Sequence, residues 1–212
     1  MRYYDLTYPI GEGMPLFPGT PPSERSAACT LERDGFRETR LAFSSHTGTH
    51  MDAPAHLLPE GVTLDALPVS AFCGAGICVD CTAVEGGRIG PAALLGAGER
   101  WNRAEFVLLY TGWEARWGTP EYFADFPLLS EAAARLLAGT KGVGLDCPSL
   151  DPVDSAELPI HRVLLGAGTL LLENLRGLGP LCGKDFQLFA LPLHYQQADG
   201  APLRAVAVTG ED

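Results

Sequence analysis

Three of the five histidines and one aspartate fall within eleven consecutive positions: His46, His50, Asp52 and His56, in the stretch SSHTGTHMDAPAHLLPEG (residues 44–61). A helix would place His46 and His50 on one face, but Gly48 lies between them, Pro54 follows, and Asp52 falls on the far side of the wheel. In an extended chain His46, Gly48, His50, Asp52, Pro54 and His56 share one parity and project to one side. A straight strand would still leave His46 and His56 roughly 33 Å apart, at about 3.3 Å per residue. The segment must therefore curl. Gly48 can adopt backbone angles barred to other residues, Pro54 ends ladder donation, and the hydroxyls of Thr47 and Thr49 can tie a turn. A divalent cation gathers imidazoles and a carboxylate most readily, with zinc bound at about 2.0–2.2 Å. Any one of these residues alone is an ordinary surface or core side chain, so it is the joint pattern that points to a metal.

The rest of the chain divides into short elements. SAACTLERDGFRETRLAFSSH predicts two strands around Asp34-Gly35, a hairpin dipeptide. GICVDCTAV, EFVLLYTGW, GVGLDC and TLLLENL are apolar runs of strand length bounded by Gly or Pro, as in buried strands. GPAALLGAG offers Pro91 at a first helical position, and SEAAARLLAG has Ser130 as N-cap with Gly139 closing the end. A final hairpin is expected across Ala198-Asp199-Gly200. Strands alternating with helices predict an α/β fold with a mixed sheet and flanking helices, in a single domain over residues 1–212.

Composition narrows the function. The net charge is −11, and none of the 15 Lys and Arg residues forms a run, which argues against a nucleic-acid partner. No stretch approaches the roughly 20 apolar residues of a membrane helix, and MRYYDLTYPIGEGMP lacks the apolar core of a signal peptide. A cytoplasmic location is expected. There the six cysteines would be reduced, and Cys78 and Cys81, although spaced CxxC, read as small core residues rather than as half of a zinc site or a redox pair. A GxSxG nucleophile elbow, a GxGxxG fingerprint and a GxxxxGK[ST] loop are all missing.

His46-x-Gly48-Thr49-His50-x-Asp52-x-Pro54-x-His56 resembles, at every fixed position, the HxGTHxDxPxH signature of the cyclase family of metal-dependent hydrolases, which includes bacterial kynurenine formamidases and isatin hydrolases. GVGLDCPSLDPVDSAELPIHRVLLGAGTLLLENL is similar to that family's second block, and the likeness runs from YDLTYPIGEGMP to the last strands. The resemblance implies a swivelling-type α/β fold and two divalent cations per chain, zinc or manganese. In the family, residues matching His46, His50 and Asp52 hold one metal, with the aspartate shared by a second. The match to His161 binds that second metal, the match to Glu173 reaches both, and the match to His56 transfers a proton. The implied reaction is attack of a metal-activated hydroxide on a small amide, foremost an aryl formamide such as N-formylkynurenine, by a homodimer or homotetramer. Alternatives are a cyclic amide or carbamate as substrate, or a noncatalytic relative that keeps the metal.

Local chemistry gives the second block separate sense. Glu173 ends an apolar run, where a buried carboxylate is costly without a partner. His161 lies near a helix start, set either by Asp154 and Glu157 as a capping box or by Leu158 with Pro159 in the first turn. Asp146, Ser149 and Asp151 are expected to shape the surrounding loop. Phe17, in PLFPGT, stands where kynurenine formamidases typically carry a Trp against the substrate, and Thr20 departs from their PVWPGD as well. Phe17 is thus a candidate substrate contact, whereas His194 reads as a structural or surface residue.

Overall fold

The computed structural model describes residues 1–210. Its strands are β1 (Arg2–Asp5), β2 (Glu24–Cys29), β3 (Glu38–Ala42), β4 (His50–Asp52), β5 (Cys73–Asp80) and β6 (Arg88–Ile89). They continue as β7 (Phe106–Tyr110), β8 (Leu128–Leu129), β9 (Gly142–Leu145), β10 (Leu170–Glu173), β11 (Asp185–Pro192) and β12 (Gly200–Thr209). The α-helices are α1 (Leu31–Asp34), α2 (Pro91–Leu95), α3 (Glu131–Leu137) and α4 (Pro159–Gly166).

Strands β5, β7, β9 and β10 run parallel, as expected of apolar runs buried on both faces. Their alternate side chains divide between two cores. Cys78, Phe106, Leu108, Leu170 and Leu172 join an inner cluster with Phe186, Leu188 and Ala205. Ile77, Val79, Val107, Leu109, Val143 and Leu171 join an outer one with Leu94, Ala133, Leu137 and Leu164 of the helices. Cys78 and Cys81 lie on opposite sides of this division, and Cys78 Sγ sits 3.5 Å from that of Cys182. Antiparallel β11 instead alternates buried and exposed residues, with Phe186, Leu188 and Ala190 inward.

The mixed sheet and flanking helices are those the sequence implies; its closure is a further finding. The order is β1-β12-β11-β5-β7-β9-β10-β4, and β4 pairs back onto β12, so seven strands form a closed ring. One edge of the long β12 serves both β1, through Val206–Thr209, and β4, through Gly200–Pro202. Closure leaves little interior room. A Cβ on Gly144 would fall 2.7 Å from Leu108 Cδ2, and one on Gly142 2.7 Å from Phe106 Cε1, so β9 presents hydrogens where its neighbours present side chains.

Capping chemistry holds where it was expected. Ser130 Oγ accepts from the Ala133 N–H at 3.2 Å, Gly139 follows α3 at φ 88°, and Pro91 opens α2. Two hairpins differ from expectation in their turns. Between β2 and β3 the chain makes the single turn α1, capped by Thr30 and Gly35, in place of a two-residue loop. Between β11 and β12 the loop is residues 193–199, and Gly200 is already a strand residue because β4 hydrogen-bonds to it.

Candidate active site

The curl expected of residues 44–56 is present, and most of it is loop. Only His50–Asp52 are strand; His46 lies in a turn, Gly48 has φ 65°, and Pro54–His56 form one turn of 3-10 helix. Met51 points into the inner core on the odd parity, while His50 and Asp52 point the other way. Strand β4 lies between β10 and β12, which explains why its polar residues are as buried as its methionine.

Register brings the second block to the first. Glu173 pairs directly with His50 across β10 and β4. His50 Nε2 is 3.2 Å from Asp52 Oδ1 and 3.5 Å from Glu173 Oε2. His161 Nε2 is 3.1 Å from Glu173 Oε1 and 3.7 Å from Asp52 Oδ2. His46 Nδ1 is 2.7 Å from Asp52 Oδ1. Ligand-type atoms of His46, His50 and Asp52 lie within 4.8 Å of one another, as do those of Asp52, His161 and Glu173, so Asp52 belongs to both groups.

Each of these imidazoles is oriented through its other nitrogen. His50 Nδ1 meets the Gly48 carbonyl at 2.8 Å; a carbonyl can only accept, so Nδ1 donates to it and Nε2 faces the site. His161 Nδ1 donates to Asp151 Oδ2 at 2.7 Å, and His46 Nε2 to Asp199 Oδ2 at 3.0 Å. Backbone or carboxylate support behind a histidine is the usual arrangement around a metal.

Helix α4 begins at Pro159, the second of the two starts its sequence allowed. Its N-cap Leu158 has φ 44° and offers no side-chain oxygen, so Asp151 serves instead: its carboxylate accepts from the Ile160 and His161 N–H groups at 3.0–3.1 Å. One aspartate thus caps the helix and aims the histidine that it carries. Asn174, at φ 56°, ties the two blocks together, donating to the Gly48 carbonyl at 2.9 Å while its own carbonyl accepts from Thr49 Oγ1 at 2.6 Å.

The electrostatics favour a cation. Among the described residues, the ion-pair partners of buried Asp52 and Glu173 are histidines alone. Burial pushes the pKa of His46 down, yet Asp52 and Asp199 together hold it at about 9. Burial likewise opposes the charge on His161, but Asp151 and Glu173 raise it to about 10. Burial would raise Asp52, and the charges and hydrogen bonds of His46 and His50 keep it well below the carboxylate range instead. Two protons therefore occupy nitrogens that a dication would claim, and this nitrogen and carboxylate donor set fits a divalent metal ion.

His56 is half-buried beside this cluster, its ring centroid 4.1 Å from that of His46, with its pKa lowered by burial. The group opens into a cavity of about 330 Å³ whose lining includes Phe17, Phe123, Val153 and Leu158 as well as His56. Phe17 and Phe123 meet edge to face at 6.1 Å. Phe123 and Asp199 were not legible as site residues: Phe123 lies outside either motif, and Asp199 has the sequence setting of an ordinary turn aspartate. His194 is on the surface.

The Cyclase family model matches residues 4–152. A kynurenine formamidase of Paracidovorax citrulli is 35% identical over 97% of this chain and 96% of its own. Isatin hydrolase A from Labrenzia aggregata superposes with a TM-score of 0.86 at 27% identity, over 99% of this chain and 94% of the other. A structure described as a potential metal-dependent hydrolase with cyclase activity gives 0.81 at 29% identity, over 100% and 99%. On sequence, on fold and on the convergence of its two polar blocks, the chain belongs to the cyclase family.

Proposed function

We propose that the chain is a metal-dependent amidohydrolase that cleaves a small aryl formamide of the N-formylkynurenine type. The observation that carries this reading is the meeting of His46, His50 and Asp52 with His161 and Glu173 at the floor of an aromatic-walled cavity. These five residues would hold two divalent ions, zinc first and manganese second, with Asp52 and Glu173 reaching both. When bound, such ions polarise an amide carbonyl and bring the pKa of a water toward neutrality. Burial lowers the pKa of His56 and so favours its neutral imidazole, which accepts the proton of the attacking water and returns it to the departing nitrogen. Phe17 and Phe123 offer the aryl ring an apolar wall. The need for a proton acceptor beside the ligands favours an enzyme over a passive metal holder.

The likeness to isatin hydrolase A, together with Phe17 in place of a Trp, supports a cyclic aryl amide as the second reading. A homodimer or homotetramer is proposed from the β2–β3 hairpin, which is exposed along both strands, since a two-stranded ribbon needs a surface to rest on. No helix among the described residues is long and apolar enough to cross a membrane, and a cytoplasmic site of action is part of the proposal.

Assays of N-formylkynurenine and isatin, before and after chelation and on adding back zinc or manganese, test this reading. Formamide turnover that chelation abolishes and metal restores is expected. Full turnover in chelator would overturn it.

A further inference from the structure

Asp199 lies in the loop that precedes β12, 143 positions after His56, and it belongs to neither motif. Its carboxylate nevertheless closes a third cluster of ligand-type groups with His46 and His56. Oδ2 accepts from His46 Nε2 at 3.0 Å and from Ser45 Oγ at 3.3 Å, and it lies 3.9 Å from His56 Nδ1. Oδ1 accepts from Tyr195 OH at 3.3 Å. The backbone is pinned to the motif too, since the Asp199 carbonyl accepts from the Ala53 N–H at 2.9 Å, between Asp52 and Pro54.

We propose that Asp199 is a positioning residue with two separable effects: it turns the Nδ1 of His46 toward the metal, and it sets a negative charge against the proton-transfer residue His56. Both effects rest on the proposed function, the first on its metal binding and the second on its hydrolysis as well. The hold of Asp199 on His46 follows from geometry. His46 is the least buried of the three histidines that face Asp52, its side chain 24% exposed against 4% for His50 and His161. His50 is held by a backbone carbonyl and His161 by the buried Asp151, so neither depends on a solvent-exposed group. His46 depends on Asp199, whose own side chain is half-exposed and is steadied by Ser45 and Tyr195.

The two effects demand different chemistry. Orienting His46 requires an acceptor oxygen at position 199, which an amide also supplies; a charge against His56 requires a carboxylate. The test compares Asp199→Ala and Asp199→Asn with the parent in the full chain, measuring Zn²⁺ affinity by chelator competition and then kcat and KM at saturating Zn²⁺. For Asp199→Ala, a 10- to 100-fold loss of Zn²⁺ affinity is expected, in the range for a removed partner of a metal-binding histidine. Asp199→Asn should recover affinity to within about threefold of the parent yet remain at least tenfold low in kcat, with KM little changed. Parent affinity in Asp199→Ala would overturn the first effect, and parent kcat in Asp199→Asn the second. Loss of affinity in both variants alike would mean that the charge, rather than the acceptor, holds His46, and would overturn the separation. Since affinity is read without substrate, a parent that binds Zn²⁺ but hydrolyses no formamide would sink the proposed hydrolysis and leave the first effect standing.

Discussion

The imidazole of His46 lies against the backbone of Gly200, so closely that a Cβ at position 200 would fall 2.8 Å from Nε2 and nearer still to Cε1. Gly200 pairs with Asp52 across β12 and β4, which places this contact beside the carboxylate that His46 faces. The missing side chain is the space the ring occupies. Gly200→Ala must displace His46 or spread the strands, at a cost of about 1–3 kcal/mol for overpacking. A lower Tm and reduced zinc content are expected, measured by calorimetry and elemental analysis; unchanged values for both would refute the contact.

His56 sits outside the group of five and touches His46 by ring contact. His56→Ala should keep its full metal content and lose about 10²- to 10⁴-fold in kcat, the range for a positioned acid–base group. Turnover at the parent rate would remove the residue from the mechanism.

Phe17 contributes apolar wall and has no polar atom to act in the chemistry. Its loss therefore weakens substrate and transition state together, raising KM with kcat nearly constant. Removing a half-exposed ring costs about 1–2 kcal/mol of binding, so Phe17→Ala should raise KM roughly 5- to 30-fold for an aryl formamide. An equal KM in steady-state kinetics would show that the ring binds elsewhere.

Glu114 accepts a hydrogen bond from the Gly177 N–H in a half-buried position. Burial, together with the charge of Asp146, raises its pKa above the ordinary value, against the help of Gly177 and Arg176. The sign follows by linkage. A raised carboxyl pKa means that ionisation costs the folded state, a cost absent below the unfolded pKa near 4.5 and growing as pH rises past it. Glu114→Gln keeps an acceptor for Gly177 and removes the charge. Its Tm should exceed that of the parent at pH 7, and the gap should close as pH falls below about 4.5. Thermal melts across that range check it, and a gap that widens in acid would reverse the sign.

Much of the site was legible because its parts are local. Parity brought His50 and Asp52 to one side, Gly48 and Pro54 announced the curl, and Ser130 and Pro91 marked their helices, each through chemistry confined to a few neighbouring residues. Other features depended on pairing partners far apart in the chain. Nothing near Leu158 reveals that Asp151 caps α4, because the carboxylate reaches the helix across a loop whose path is set by packing. Likewise, nothing near Asp199 reveals its place behind His46: that comes from β12 sharing an edge between β1 and β4 and so closing the sheet. Local chemistry marked the run from His46 to His56 as a candidate cation site and showed where the chain must bend, since sterics and donor chemistry act over short range. Tertiary structure alone decided the ring of strands, the apposition of Glu173 with His50, and the placing of Asp199 and Gly200, because hydrogen-bond register between distant strands is a property of the assembled sheet.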